Sequence, residues 1–234
     1  MDSIDIYALN LYDFTPVSHS IDTFIIRKAA TYKSVKRRRE YLASEWLRRF
    51  VLKNYIGNHN LVFDITDKGR PFLKYNTSYD FNISHTKEWI VIAIAKGQKI
   101  GIDIQSLDQA IDVLGIAKQY YAQIEHQWLS TLSTSKIKYY FYLLWTLKEA
   151  SLKQTGEGIA SGLTYYAFIY KDKKLKLCNT FTTKKLYYYH RNIAPNILLS
   201  LAATKPIVKI KNFIVTNNKV VHLPMTNNLL YKLK

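Results

Sequence analysis

Across 234 residues, 34 Lys and Arg outnumber 17 Asp and Glu for a formal net charge of +17, and the 48% hydrophobic content suits one large domain or two small ones. One cysteine, Cys178, excludes an internal disulfide framework and fits a reducing compartment. The acidic start Met1-Asp2-Ser3-Ile4-Asp5 is unlike a signal peptide and the apolar runs 139–147 and 197–203 are too short to span a bilayer, so a soluble cytoplasmic protein is expected.

In chain order, 4–12 alternates as an opening strand and ends at the turn residues Asp13 to Pro16. Residues 21–39 hold seven basic side chains, Arg27, Lys28, Lys33, Lys36, Arg37, Arg38 and Arg39, and lead into a helix over 34–55 that stops near Gly57. A strand is expected at 61–65, then the turn Asp67-Lys68-Gly69-Arg70-Pro71, an extended piece at 81–85 and an apolar buried strand at 89–95. After Lys96-Gly97 comes the strand 100–104, helical pieces at 111–121 and 125–132, and a long helix over 135–155 closed by Gly156. Strands follow at 165–170, 175–178, 186–190 and 196–203. Each half thus reads strand, helix, then several strands, with a boundary near Gln98; the Lys- and Asn-rich stretch 206–234 shows no pattern that places it.

Two features carry chemistry. On the long helix, residues four apart share a face, so Trp145, Glu149 and Lys153 form one row, while Ile137, Phe141, Leu144 and Leu152 mark the core side. Lys148 falls within or beside that apolar stripe and needs to snorkel or meet an anion. Upstream, Ile100-Gly101-Ile102-Asp103-Ile104-Gln105 sets a carboxylate in an apolar strand, where an ionised group needs a partner or a metal. One strand carboxylate and one helix carboxylate could together hold a hard divalent cation. The simpler alternative is an exposed Glu149–Lys153 pair worth roughly 0.3–0.5 kcal/mol.

Five ordered motifs carry a resemblance: Arg39-Glu40-Tyr41-Leu42-Ala43, Gly69-Arg70-Pro71, Phe81-Asn82-Ile83-Ser84-His85, Gly101-Ile102-Asp103, and Trp145-x-x-Lys148-Glu149-Ala150-x-x-x-Lys153. Together the chain resembles the 4′-phosphopantetheinyl transferase superfamily, in its larger Sfp-type form. The resemblance implies an α+β fold of two similar halves, 1–98 and 99–205, related by a pseudo-two-fold with the active site at their interface, and a monomer. The implied reaction moves phosphopantetheine from coenzyme A to a serine hydroxyl of an apo acyl or peptidyl carrier protein, with Mg²⁺ or Mn²⁺, releasing adenosine 3′,5′-bisphosphate. Such carriers serve fatty-acid, polyketide or nonribosomal-peptide synthesis.

By the same resemblance Asp103 and Glu149 are metal ligands, with Gln105 standing where many members have Glu. Glu149 is the candidate base, and Lys153 steadies charge on the leaving group. Arg39, Gly69, Arg70, Pro71, Asn82, Ser84, His85, Lys148 and Lys153 are the expected coenzyme A contacts, Lys148 being equally open to a structural pairing. The basic surface suits an acidic carrier protein. A nucleic-acid-binding protein is the competing reading of the +17 charge and 19 tyrosines, although no binding-module signature appears. An inactive coenzyme A-binding member of the same fold is a third.

Overall fold

The computed structural model describes residues 3–15, 21–57, 61–156, 162–171, 174–180, 185–216 and 219–223. The start Met1-Asp2, Pro16 of the first expected turn, and 224–234 of the unplaced tail lie outside them. The fold is mixed α+β. A five-stranded sheet has the order β12-β11-β1-β5-β4, from β1 (Ser3–Asn10), β4 (Tyr79–Thr86), β5 (Trp89–Lys96), β11 (Lys209–Thr216) and β12 (Lys219–Leu223). A three-stranded sheet has the order β6-β10-β9, from β6 (Ile100–Ser106), β9 (Tyr187–Ala194) and β10 (Ile197–Ala203). The hairpins β2–β3 (Phe63–Ile65, Pro71–Leu73) and β7–β8 (Tyr166–Lys171, Lys174–Thr180) are the other strands among the described residues.

Among the described residues there are five α-helices, α1 (Thr23–Ala30), α2 (Val35–Ile56), α3 (Val113–Tyr120), α4 (Gln123–Ser130) and α5 (Thr134–Thr155); α2, α4 and α5 pack on strands, α1 on α2, and α3 on α4 and α5. The expected long helices appear within a residue or so of their predicted limits. Part of the basic run is a separate helix, α1. Asp22 caps it by accepting from the Phe24 amide at 2.9 Å, and Ile25 and Ala29, one turn apart, bury its inner face. The unplaced stretch also gains a position, because β11 lies parallel to β1 with Ser3 opposite Lys209. The chain therefore re-enters the first sheet after completing the second.

Alternation explains how the layers meet. In β5, Ile90, Ile92 and Ile94 pack under α2 with Leu47, Val51 and Leu52, while Val91, Ala93 and Ala95 face the second sheet. Both faces are covered, so the strand reads as a continuous apolar run. In β6, Ile100, Ile102 and Ile104 enter the apolar layer between the sheets. Residues 101, 103 and 105 then take the opposite face, the side of β6 on which α5 packs.

The two sheets are joined along β4 and β6 by side chains. The amides of Ile100, Ile102, Ile104 and Ser106 donate in turn to Asp80 Oδ2 (2.8 Å), Asn82 Oδ1 (2.9 Å), Ser84 Oγ (3.3 Å) and Thr86 Oγ1 (3.3 Å). Alternate side chains of one edge strand thus satisfy alternate amides of the other, which would be costly to leave bare in this buried position.

Candidate active site

Glycine brings the helix to the strand. A Cβ on Gly101 would stand 2.0 Å from the Ala150 carbonyl oxygen and 2.4 Å from the Gln154 amide nitrogen, both backbone atoms of α5. With only hydrogen there, β6 and α5 touch backbone to backbone, and the residues flanking the contact, Asp103 on the strand and Glu149 and Lys153 on the helix, are drawn into one polar nook. Gly156 ends α5 in the left-handed conformation (φ +79°, ψ 12°) and returns its N–H to the Leu152 carbonyl.

Asp103 is buried, and its Oδ1 accepts from Lys153 Nζ at 2.6 Å and Ser84 Oγ at 2.8 Å. Lys153 Nζ also donates to Ser84 Oγ at 2.9 Å. The lysine thus reaches across to the strand carboxylate, and the simple Glu149–Lys153 helix pair is not what forms. Asp103 Oδ2 and Glu149 Oε1 are buried without a hydrogen-bond partner among the described residues. Burial first, and the neighbouring Asp103 charge second, push the Glu149 carboxyl up to about 7, while Lys153 pulls the other way. Two orphaned carboxylate oxygens in one buried nook are what a divalent cation would satisfy. Gln105, half-buried, follows Asp103 on the same strand face. Among the described residues no group of three or more His, Cys, Asp and Glu gathers at metal-binding spacing, so any cation here would rest on two carboxylates and neutral ligands.

Other expected contacts are placed differently. Lys148 is wholly buried and pairs with Glu125 at 2.7 Å, also donating to the carbonyls of Leu163 (2.9 Å) and Tyr166. Glu125 in turn accepts from the amides of Ala122 (3.0 Å) and Phe168 (2.9 Å). Burial pushes both groups toward their neutral forms, and their mutual attraction opposes it. We read a charged pair, because every remaining ligand suits the charged forms, and a sealed ammonium has no reach to a phosphate. Asn82 is likewise occupied in the β4–β6 joint. Arg70, expected to offer its fork to phosphate, is buried against Asp80 instead, donating at 3.0 and 2.7 Å. Gly69 and Pro71 shape the turn into β3 that delivers it.

A cleft of about 570 Å³ opens beside the start of α2, lined by Tyr32, Ser34, Lys36, Arg37, Glu40, Tyr41, Ser44 and His85. Ser84 and His85, adjacent on β4, part company: Ser84 turns in to Asp103 and His85 out to this cleft. Arg39 is not in its lining, since it ties α2 to the preceding turn through the carbonyls of Leu11 (2.7 Å) and Phe14 (3.2 Å). Helical spacing carries Arg37, Tyr41 and Ser44 onto one face and Arg39 off it. The 3.6-residue period, counted from the aromatic Tyr41, places Arg37 on the cleft face. Tyr32 and Tyr41 rings lie 5.4 Å apart, with the Arg37 guanidinium 5.4 Å over Tyr32. Trp145 packs against Phe141 along α5 (6.0 Å between rings).

Residues 99–200, which include Asp103, Glu149 and Lys153, match the family model described as the 4′-phosphopantetheinyl transferase superfamily. A 4′-phosphopantetheinyl transferase of Bacillus pumilus is 32% identical over 130 residues, 55% of this chain and 54% of the relative. Another, of Aneurinibacillus migulanus, is 35% identical over 122 residues, 52% of this chain and 49% of the relative. The Sfp transferase of Bacillus subtilis is 25% identical over 170 residues, 72% and 75% of the two chains. The chain spans about half the length of the first two of these curated relatives. No helix among the described residues is long and apolar enough to cross a membrane. The matched segment, residues 99–200, is thus similar to the 4′-phosphopantetheinyl transferase superfamily.

Proposed function

We propose that the protein transfers the 4′-phosphopantetheine group of coenzyme A to a serine hydroxyl of an acidic apo carrier protein, with Mg²⁺ held by Asp103 and Glu149. The observation that carries this reading is the meeting of Asp103, Glu149 and Lys153 in one buried nook, two carboxylate oxygens there being unpartnered. A cation bound at those oxygens would neutralise charge on the pyrophosphate. Glu149, kept ionised by the cation it would help to hold, would be the base that takes the serine proton. Lys153, already turned into the site, would release Asp103 to meet the charge gathering on the departing phosphate. Gln105 would complete the ligand set through its amide oxygen or an ordered water.

The cleft beside α2 suits the nucleotide end. Tyr32 and Tyr41 offer aromatic faces for a base, and Lys36, Arg37 and His85 offer donors for phosphate. Its volume lies within the roughly 300–1,000 Å³ of small-ligand sites. Ser84 comes from the first sheet and the carboxylates from β6 and α5, so the active site would straddle the joint between the halves. Incubating the protein with coenzyme A, Mg²⁺ and a panel of apo carrier proteins should give carriers heavier by one phosphopantetheine group, and Glu149→Ala should abolish the gain. An unmodified panel with the unaltered protein refutes the reading.

A further inference from the structure

We infer that Arg70 is a positioning residue that holds the last turn of α5 in register with β6, and is not a ligand of the coenzyme phosphates; the inference rests on the transferase reading above. Every nitrogen of its guanidinium is engaged within the protein. Nε donates to the Lys153 carbonyl at 2.9 Å, Nη1 to Asp80 Oδ1 at 3.0 Å, and Nη2 to Asp80 Oδ2 at 2.7 Å and the Ile100 carbonyl at 3.0 Å. The residue is 8% exposed, and its stem lies over Gly156, where a Cβ would meet Arg70 Cδ at 3.3 Å. Three segments therefore converge on one planar group: β4 through Asp80, the start of β6 through Ile100, and the end of α5 through Lys153.

Each contact answers a need. Lys153 is in the last turn of its helix, where a carbonyl has no amide four residues on within the helix, and a cation there also suits the helix dipole. Asp80 is the first of the four side chains that bridge β4 to β6, so the arginine braces that joint at the end nearest α5. Lys153 is the residue whose Nζ meets Asp103 and Ser84. Holding its carbonyl fixes the point from which that side chain departs, and with it the row that includes Glu149. A lysine at position 70 keeps the charge but cannot reach Asp80, Ile100 and Lys153 at once.

Steady-state transfer to a carrier, with coenzyme A and with 3′-dephospho-coenzyme A, separates the roles for Arg70→Lys and Asp80→Asn. Positioning predicts that both variants lower kcat at least tenfold, that KM for coenzyme A moves less than threefold, and that the preference for coenzyme A over its dephospho form is unchanged. It also predicts faster hydrogen exchange at the Gly156 amide while β5 amides keep their protection. A tenfold rise in KM with kcat intact, or a lost preference in Arg70→Lys alone, overturns it in favour of a phosphate contact. Loss of β5 protection in both variants overturns it in favour of a purely structural role. If the unaltered protein modifies no carrier, the transferase reading fails, and exchange at Gly156 still decides whether Arg70 holds α5.

Discussion

Gly101→Ala is the sharpest perturbation of the site that leaves every charged group in place. The new methyl carbon would sit 2.0 Å from the Ala150 oxygen and 2.4 Å from the Gln154 nitrogen. Neither atom belongs to a side chain that can swing away, so α5 or β6 must retreat by about 1 Å or more in a close-packed interior. Overpacking of this kind costs roughly 1–3 kcal/mol, and the backbone character of the clash puts the expected loss at the upper end. The displaced elements carry Glu149 and Lys153 on one side and Asp103 on the other, and a shift of about 1 Å in such a group can lower the rate about 100-fold. Urea unfolding and carrier modification measured on the same preparation test both parts. A variant within 0.5 kcal/mol of the parent stability and within twofold of its rate, by the standards of neutral surface changes of about that size, would refute the argument that bare backbone contact builds the nook.

Other outcomes follow from the same geometry. The Glu149 carboxyl is raised in the folded state, so its contribution to stability is complete below its unfolded value of 4.5 and is lost as pH rises through about 7; the difference in unfolding free energy between the parent and Glu149→Gln should change across that window, and Mg²⁺ should shrink the change. Lys148→Ala should cost about 3–5 kcal/mol by stranding Glu125, read by urea unfolding. Arg37→Ala should raise KM for coenzyme A about tenfold with kcat little altered, whereas Arg39→Ala should chiefly lower stability. Gln105→Glu should tighten Mg²⁺ binding in a titration without coenzyme A, since it adds a charged oxygen ligand.

Periodicity alone marked α2, α5 and β5, because each has long, uninterrupted patterns: a 3.6-residue stripe for the helices and a two-sided apolar run for the strand. The helix α1 was hidden because its inner face is only Ile25 and Ala29 within a dense basic stretch. Asp103, Glu149 and Lys153 were legible as a group since an acid in an apolar strand and an acid–lysine row on a helix are each conspicuous. The fates of Arg70 and Asn82 were not, and for Lys148 an anionic partner was one of two expectations while its identity, Glu125, was not. All three depend on partners distant in the chain, Asp80 with the Lys153 carbonyl, Glu125, and the Ile102 amide, and a motif records the residue without its neighbour. Gly101 was visible within its motif, but the need for it appears only when α5 is laid across β6.

The parallel pairing of β1 with β11 has a consequence for biogenesis. As the chain leaves the ribosome, residues 3–10 can zip to β5 once residue 96 has been made, yet their other side stays bare until synthesis reaches residue 209, a separation typical of slow, non-local closure. Throughout that interval the nascent chain offers an open edge to any passing strand. Severing synthesis before residue 209 should thus leave a product prone to clumping, even though every residue of the catalytic nook would already be present.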